Sequence, residues 1–491
     1  MPSLRDRPSS SAFTDTADTR LGSAVAPLVA AHPGRAGIYA LADARAAFAA
    51  RVLLAAAAER SLDIQYYIWR NDRTGTLLFE ALRAAAERGV RVRLLLDDNN
   101  TAGMDEVLAA LDRHANIEVR LFNPFTIRGL RPLNFLTDFS RLNRRMHNKS
   151  FTADNQATIV GGRNVGDEYF DAAPEGELVF SDLDVLAVGP IVGDVSADFD
   201  RYWGSGSAYP AERILPPVEP AALDALEDRA SIVERDPAAA RYVGAVRTLP
   251  FVDELLESRL DLEWAPTRMI SDDPAKALGR AEPAELLPAK LAATIGEPQA
   301  SLDLVSPYFV PTEDGVAAFS ALAAGGVEVR VLVNSLEATD VDAVHSGYAK
   351  HRKALLEAGI ALYEMRLVAS EEGGSGPFGS GASSLHAKTF GADRRRLFIG
   401  SFNFDPRSAN LNTELGFVID SSELAQRLAA VFDRAVPAIA YEVRLSPDGE
   451  VFWVERRGEE AVVRHDTEPG TTAWQRGAVE VLSWLPIDWL L

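Results

Sequence analysis

Short, nearly unbroken apolar runs alternate along this chain with longer stretches whose apolar positions recur every three to four residues. These are the rhythms of buried strands and amphipathic helices. From position 35, Gly37-Ile-Tyr-Ala-Leu41 reads as a short strand and the alanine-rich 44–59 as a helix. Ser61-Leu-Asp-Ile-Gln-Tyr-Tyr-Ile-Trp69 follows as a buried strand, 77–88 as a helix closed by Gly89, and 90–96 as another strand. The same order returns. Thr267-Arg-Met-Ile270 opens it, a helix is predicted over 276–295, and Ser301-Leu-Asp-Leu-Val-Ser-Pro-Tyr-Phe-Val310 is the strand. A helix over 315–324 stops at Gly325-Gly326, before a strand over 327–333. Ser61-Leu-Asp and Ser301-Leu-Asp are identical and 240 positions apart. The pattern predicts an α/β protein of two tandem units, each a mixed sheet flanked by helices.

The punctuation supplies boundaries: a loosely structured leader over 1–34, a first α/β domain over 35–207, and a second over 267–435. A Pro- and Glu-rich linker, 208–266, joins them, with helices expected around 221–230 and 250–258. A tail, 436–491, is expected to pack on the body or at a membrane interface. The stretch 370–384, dominated by Gly and Ser, reads as a mobile loop.

Composition narrows the function. At 491 residues, 47% apolar and 25% charged, the chain suits a soluble globular protein with a large core. No apolar run approaches the roughly 18 residues of a membrane span, and residues 1–19 lack the apolar segment of a signal peptide. The absence of cysteine excludes thiolate catalysis, disulfides and cysteine metal sites. A net charge of −21 repels nucleic acid, which is not expected as a partner, and means that an anionic substrate needs a local basic funnel.

Such a funnel can be built from a motif that occurs twice. The first copy runs His147-Asn-Lys149, Asp154, Gly161-Gly162-Arg-Asn164; the second runs His386-Ala-Lys388, Asp393, Gly400-Ser401-Phe-Asn403. The spacings within the copies are identical, and the motifs lie 239 positions apart, in register with the strand repeat. His-x-Lys in a strand places both side chains on one face. An imidazole nucleophile then sits beside an ammonium that neutralises a phosphodiester, and Asn164 and Asn403 can donate further hydrogen bonds to phosphoryl oxygens. Facing copies would let one imidazole attack phosphorus while the other protonates the leaving alkoxide.

Each histidine also needs a partner to fix its tautomer. In the second copy Glu414 stands on the strand after His386. In the first, Asp182 or Asp184 heads the corresponding strand after a short insertion around 170–176, and Asp182 is favoured. Asp154 and Asp393 read as structural, pinning the turn after the motif strand. A lysine two residues from each histidine repels cations and no carboxylate cluster accompanies it, so neither metal nor cofactor is expected.

These residues resemble the signature of the phospholipase D superfamily over nearly the whole chain. The resemblance implies two domains related by a pseudo-twofold axis, a phosphohistidine intermediate, no required metal, His147 as nucleophile, and His386 as general acid and then base. Finer detail is similar to the bacterial cardiolipin synthase C-type subgroup. It lies in Asp63-Ile-Gln-Tyr-Tyr-Ile-Trp69, Asp97-Asp-Asn-Asn100, Asn143-Arg-Arg-Met-His-Asn-Lys-Ser-Phe151, Gly166-Asp-Glu-Tyr-Phe170, Ser271-Asp-Asp-Pro-Ala-Lys276, Ser306-Pro-Tyr-Phe-Val-Pro311 and the terminal Leu485-Pro-Ile-Asp-Trp-Leu-Leu491. That resemblance implies phospholipid substrates and transfer of a phosphatidyl group to phosphatidylglycerol at a bacterial membrane; it identifies no protein partner. Hydrolysis to phosphatidic acid, a nuclease-type phosphodiesterase and an inactive lipid-binding scaffold are the alternatives.

Two segments could meet a membrane peripherally. Arg128, Arg131, Arg141, Arg144 and Arg145 alternate with Leu130, Leu133, Phe135, Leu136 and Phe139 just before His147, and the terminal run carries Trp484 and Trp489. The competing expectations are arginines paired with nearby acids and a tail docked in the core.

Overall fold

The computed structural model describes the chain apart from residues 174–178, 368–374, 377–378, 381–382, 458–460 and 486–487. Much of the predicted loop 370–384 and part of the insertion at 170–176 therefore lie outside the described residues.

Two large sheets follow one plan. In the first, the strands run in the spatial order Glu263–Ala265, Ala36–Leu41, Asp184–Val188, Ala157–Gly161, Ser150–Ala153, Ser61–Tyr66, Arg91–Asp97, Ile117–Phe122 and Ala208–Pro210. In the second, the order is Thr267–Ser271, Leu415–Asp420, Arg396–Gly400, Thr389–Ala392, Ser301–Val305, Glu328–Asn334, Ala361–Met365, Ala440–Leu445, Val451–Arg457 and Ala461–His465. Each has three parallel strands beside an antiparallel hairpin that follows the His-x-Lys motif. The two halves are successive copies of one mixed α/β unit.

The sheets meet through a shared core. Val160, Val185 and Ala187 of the first pack with Ile399, Leu415 and Phe417 of the second, flanked by the helices Ile191–Trp203 and Ser422–Arg434. One face of each sheet is thus covered largely by the other half rather than by helices alone. The opposite faces carry helices such as Ala44–Ala57 and Arg73–Glu87 in the first half.

Several boundaries differ from the sequence expectation. The predicted helix over 276–295 is helical only over Leu287–Ile295; Gly279 at φ 67° ends the short turn before it, and Pro283 starts another. The strand from Ser301 ends at Val305, ahead of Pro307. The linker is not a spacer. Its ends form both edge strands of the first sheet, and its helices, including an unforeseen one at Ala240–Thr248, pack on that half. The leader is docked rather than loose. Leu21 and Val25 of the helix Arg20–Ala31 are buried, and the buried Arg93 and Arg120 donate to the carbonyls of Ser10 and Pro8.

Candidate active site

Both motifs end in the same pocket, a cavity of about 370 Å³ lined by His147, His386, Asn164 and Asn403. The His-x-Lys triplets lie just before the strands Ser150–Ala153 and Thr389–Ala392, not inside them as the alternation suggested.

What aims the two imidazoles is an exchange between the halves. Met146 bridges in parallel to Thr413, so His147 lies beside Glu414, and its Nδ1–H donates to Glu414 Oε2 at 2.8 Å. Likewise Ser383–Leu385 pairs in parallel with Val179–Ser181, and His386 Nδ1–H donates to Asp182 Oδ2 at 2.5 Å. The sequence expectation assigned each carboxylate to the histidine of its own copy, and the structure corrects it. The physical reason is the strand pairing, which crosses from one half to the other. With Nδ1 occupied, Nε2 is the nitrogen left for substrate.

The carboxylates are themselves held. Asp272 Oδ2 accepts from the backbone N–H of Glu414 and from Lys276 Nζ, both at 2.9 Å, and Ser401 Oγ donates to the carboxylate of Glu414. At the position equivalent to Ser401 stands Gly162, where an added Cβ would lie 2.3 Å from Asp182 Oδ1. The alternative candidate, Asp184, instead forms a buried ion cluster with Arg51 and Arg163 at 2.8 and 2.9 Å.

Asp154 and Asp393 lie outside the pocket. Both adopt left-handed φ, 51° and 54°, and each carboxylate accepts backbone N–H groups at the start of its central strand, from Arg60 and Ser61 or Ala300 and Ser301. Each fastens the turn of its motif hairpin to the start of that strand.

Burial, with the charges of Lys149 and Lys388, holds both imidazoles well below their usual titration range, hence neutral in the free site. Burial also lowers Lys149 to about 7 and Lys388 to about 8, against the pull of Glu414 and Asp182, and raises Glu414 to about 7. Each ammonium donates to the backbone carbonyl of its own motif's histidine. Asn164 Oδ1 accepts from Ile68 N–H, whereas its buried Nδ2 has no partner among the described residues and is a spare donor at the pocket wall. An anion bound here would meet two ammoniums and preorganised donors.

Sequence reasoning missed much of the wall. Tyr67 and Tyr169 set their rings edge-on to His147 and His386, at 5.0 and 5.3 Å between centroids. Arg70, Arg407, Tyr308, Leu490 and Leu491 also line the pocket. Arg407 joins distant segments, donating to the Leu490 and Asn143 carbonyls at 3.0 Å. Its only sequence signal is its place four residues after Asn403.

A duplicated α/β fold whose two His-x-Lys motifs share one pocket defines the phospholipase D-like class of proteins. The family model described as "Cardiolipin synthase, PLD-like domain" matches residues 53–203 and 291–436, more than half of the chain. The chain belongs to this family. It is 50% identical to cardiolipin synthase C of Escherichia coli (strain K12) over 96% of this chain and 100% of that protein. An uncharacterized protein of Helicobacter pylori (strain ATCC 700392 / 26695) is 32% identical over 94% of this chain and 91% of its own length. The crystal structure of phosphatidylserine synthase from Haemophilus influenzae Rd KW20 shares the fold, with a TM-score of 0.57 at 11% identity, covering 91% of this chain and 92% of that one.

Proposed function

We propose that this protein is a phosphatidyltransferase that makes cardiolipin from a donor phospholipid and phosphatidylglycerol through a phosphohistidine. The observation that carries the proposal is the crossed pairing of His147 with Glu414 and His386 with Asp182, which gives one pocket two oriented imidazoles.

In the first step His147 Nε2 attacks phosphorus. The P–O bond to the donor headgroup breaks, and His386 gives its proton to the departing alkoxide. Burial and the cationic field of Lys388 and Lys149 keep His386 neutral in the free site; the bound phosphodiester anion offsets that field, so His386 takes up this proton from solvent as the substrate binds. In the second step the hydroxyl of phosphatidylglycerol loses its proton to His386 and forms a P–O bond as the P–N bond breaks. Asn164 and Asn403 hold the phosphoryl oxygens through both steps.

Peripheral attachment to a bacterial membrane fits the exposed surface. Among the described residues no helix is long and apolar enough to cross a membrane. Leu130, Leu136 and Phe139 are exposed, Leu136 at 82%, while Arg128, Arg131, Arg141 and Arg145 are paired with aspartates. The helix Ala473–Ser483 docks on Asp342–Ala349 yet leaves Trp474 and Trp484 exposed at 84% and 73%. Arg407 holds Asn143, after the first of these segments, and Leu490, after the second, together at the pocket wall. The side chain of Trp489 lies outside the described residues.

The test is incubation of the purified protein with labelled phosphatidylethanolamine and phosphatidylglycerol in mixed micelles containing a chelator. Labelled cardiolipin is expected. Phosphatidic acid alone would make the protein a hydrolase, and cleavage of single-stranded DNA without lipid turnover would overturn the proposal.

A further inference from the structure

The two halves differ on their outer faces in a way that the repeat exposes. In the first half the helices Ala44–Ala57 and Arg73–Glu87 pack together, and the linker helices Ala221–Arg235, Ala240–Thr248 and Phe251–Leu256 cover them. Their counterparts in the second half, by order along the repeat, are Leu287–Ile295 and Thr312–Ala324. Between these lies an open apolar groove of about 610 Å³, lined by Leu291, Ile295, Phe319, Leu322, Phe402 and Phe404 among others. No described helix crosses it as the linker crosses the first half.

The groove backs directly on the reaction pocket. Along 402–405 the side chains alternate: Phe402 and Phe404 line the groove, Asn403 lines the pocket, and Asp405 lines both. The loop after Val305 does the same, with Tyr308 in the pocket and Val310 in the groove. The phosphate site and the apolar trough thus lie on the two sides of one stretch of backbone and meet at Asp405, which lines both. Among the described residues, the charged ones lining the trough are Asp314 and Asp405, both acidic, so it suits uncharged hydrocarbon rather than a phosphate. Its volume lies within roughly the 300–1,000 Å³ of small-ligand sites.

Resting on the phosphatidyltransfer reading above, we infer that this groove holds an acyl chain of the phospholipid whose phosphate occupies the His147–His386 pocket. The chain half that lacks covering helices would then receive its apolar cover from the substrate. A lipid aligned this way is fixed at both the phosphate and the tail, which favours one donor orientation over its reverse.

The test uses the full chain. Phosphatidylglycerol carrying a diazirine at the end of an acyl chain is irradiated with the protein in mixed micelles, and adducts are mapped by mass spectrometry. Adducts within 287–322 or 402–410 are expected. Adducts confined to 127–139 and 473–485, or none, overturn the inference and leave the groove to a protein partner. Cardiolipin formed in the same mixture reports separately on the reaction: groove adducts without lipid turnover sink the function proposal alone. Ala292→Trp, at the exposed rim, should lower kcat/KM for dipalmitoyl phosphatidylglycerol about tenfold and leave the dihexanoyl lipid within about twofold. Equal effects on both lipids would overturn the groove assignment.

Discussion

His147 and Glu414 stand 267 positions apart in the chain and 2.8 Å apart in the fold. His386 and Asp182 repeat the relationship in reverse, so each half of the molecule orients the imidazole of the other.

This crossing predicts which chemical step each carboxylate controls. Glu414→Gln should impair attack by His147 and slow phosphoenzyme formation whatever the leaving group, by about 10²–10⁴-fold. Asp182→Asn should impair proton donation by His386. Its loss should be large with an alcohol leaving group and largely recovered with 4-nitrophenolate, which departs unprotonated. Burst kinetics with the two substrate types check this, and identical profiles for both variants would contradict it.

Gly162→Ala should behave as a mild form of Asp182→Asn. The new methyl would lie 2.3 Å from Asp182 Oδ1 and push the carboxylate off His386. A stability cost of about 1–3 kcal/mol is expected from overpacking, together with the leaving-group dependence of Asp182→Asn. Thermal denaturation and the same burst assay measure the two effects, and wild-type kinetics would refute the prediction.

The pH profile follows from the buried charges. Lys149 at about 7 and Lys388 at about 8 are charged below these values and neutral above them. The free site therefore loses its attraction for phosphate as pH rises, and kcat/KM should decline above about pH 8. A bound anion raises both lysines, so kcat should decline at higher pH than kcat/KM. On the acid side Glu414, raised by burial to about 7, protonates and releases its hold on His147. Initial rates from pH 5 to 10 would show a bell-shaped kcat/KM, and a flat profile would count against these assignments.

Leu136→Asp and Trp484→Asp should each weaken sedimentation with phosphatidylglycerol vesicles, since both side chains are exposed. Losing one inserted apolar side chain costs about 1.5–3 kcal/mol. Turnover of a soluble aryl phosphodiester should remain at the wild-type rate. Undiminished vesicle binding by the double variant would remove these segments from the membrane surface.

Glu468 anchors the tail. It accepts from the buried Arg352 at 2.7 Å and lies 3.0 Å from His345 Nε2. Against the upward pull of burial, Arg352 and His345 hold Glu468 at about 2, below its unfolded value. Its stabilising contribution is therefore present above roughly pH 4.5 and lost as pH falls toward 2. Glu468→Gln leaves Arg352 with Glu364 as its remaining buried carboxylate and should cost about 1–3 kcal/mol at neutral pH. The difference from wild type should shrink in acid; denaturant titrations at pH 7 and 3.5 test it.

The repeat made the architecture legible. Ser61 and Ser301, which revealed the 240-residue offset, are among the residues whose N–H groups Asp154 and Asp393 grip in the fold. The partners of the histidines were legible as residues but not as pairs. Spacing within one copy cannot report that Met146 pairs with Thr413, because that ladder forms between halves. The leader misled because Ser, Ala and Asp promise solvation, whereas the buried Arg93 and Arg120 need the carbonyls of Ser10 and Pro8. Arg407 was hidden because it acts through contacts with Asn143 and Leu490, remote in sequence.

Gly162 and Asp182 belong to one half but serve His386, whereas Ser401 and Glu414 belong to the other and serve His147. A substitution of one ring's carboxylate partner must therefore arise in the opposite repeat. After duplication, the former twins could acquire separate duties, nucleophile and proton carrier, while both His-x-Lys signatures stayed alike; the divergence is recorded in their neighbours' neighbours.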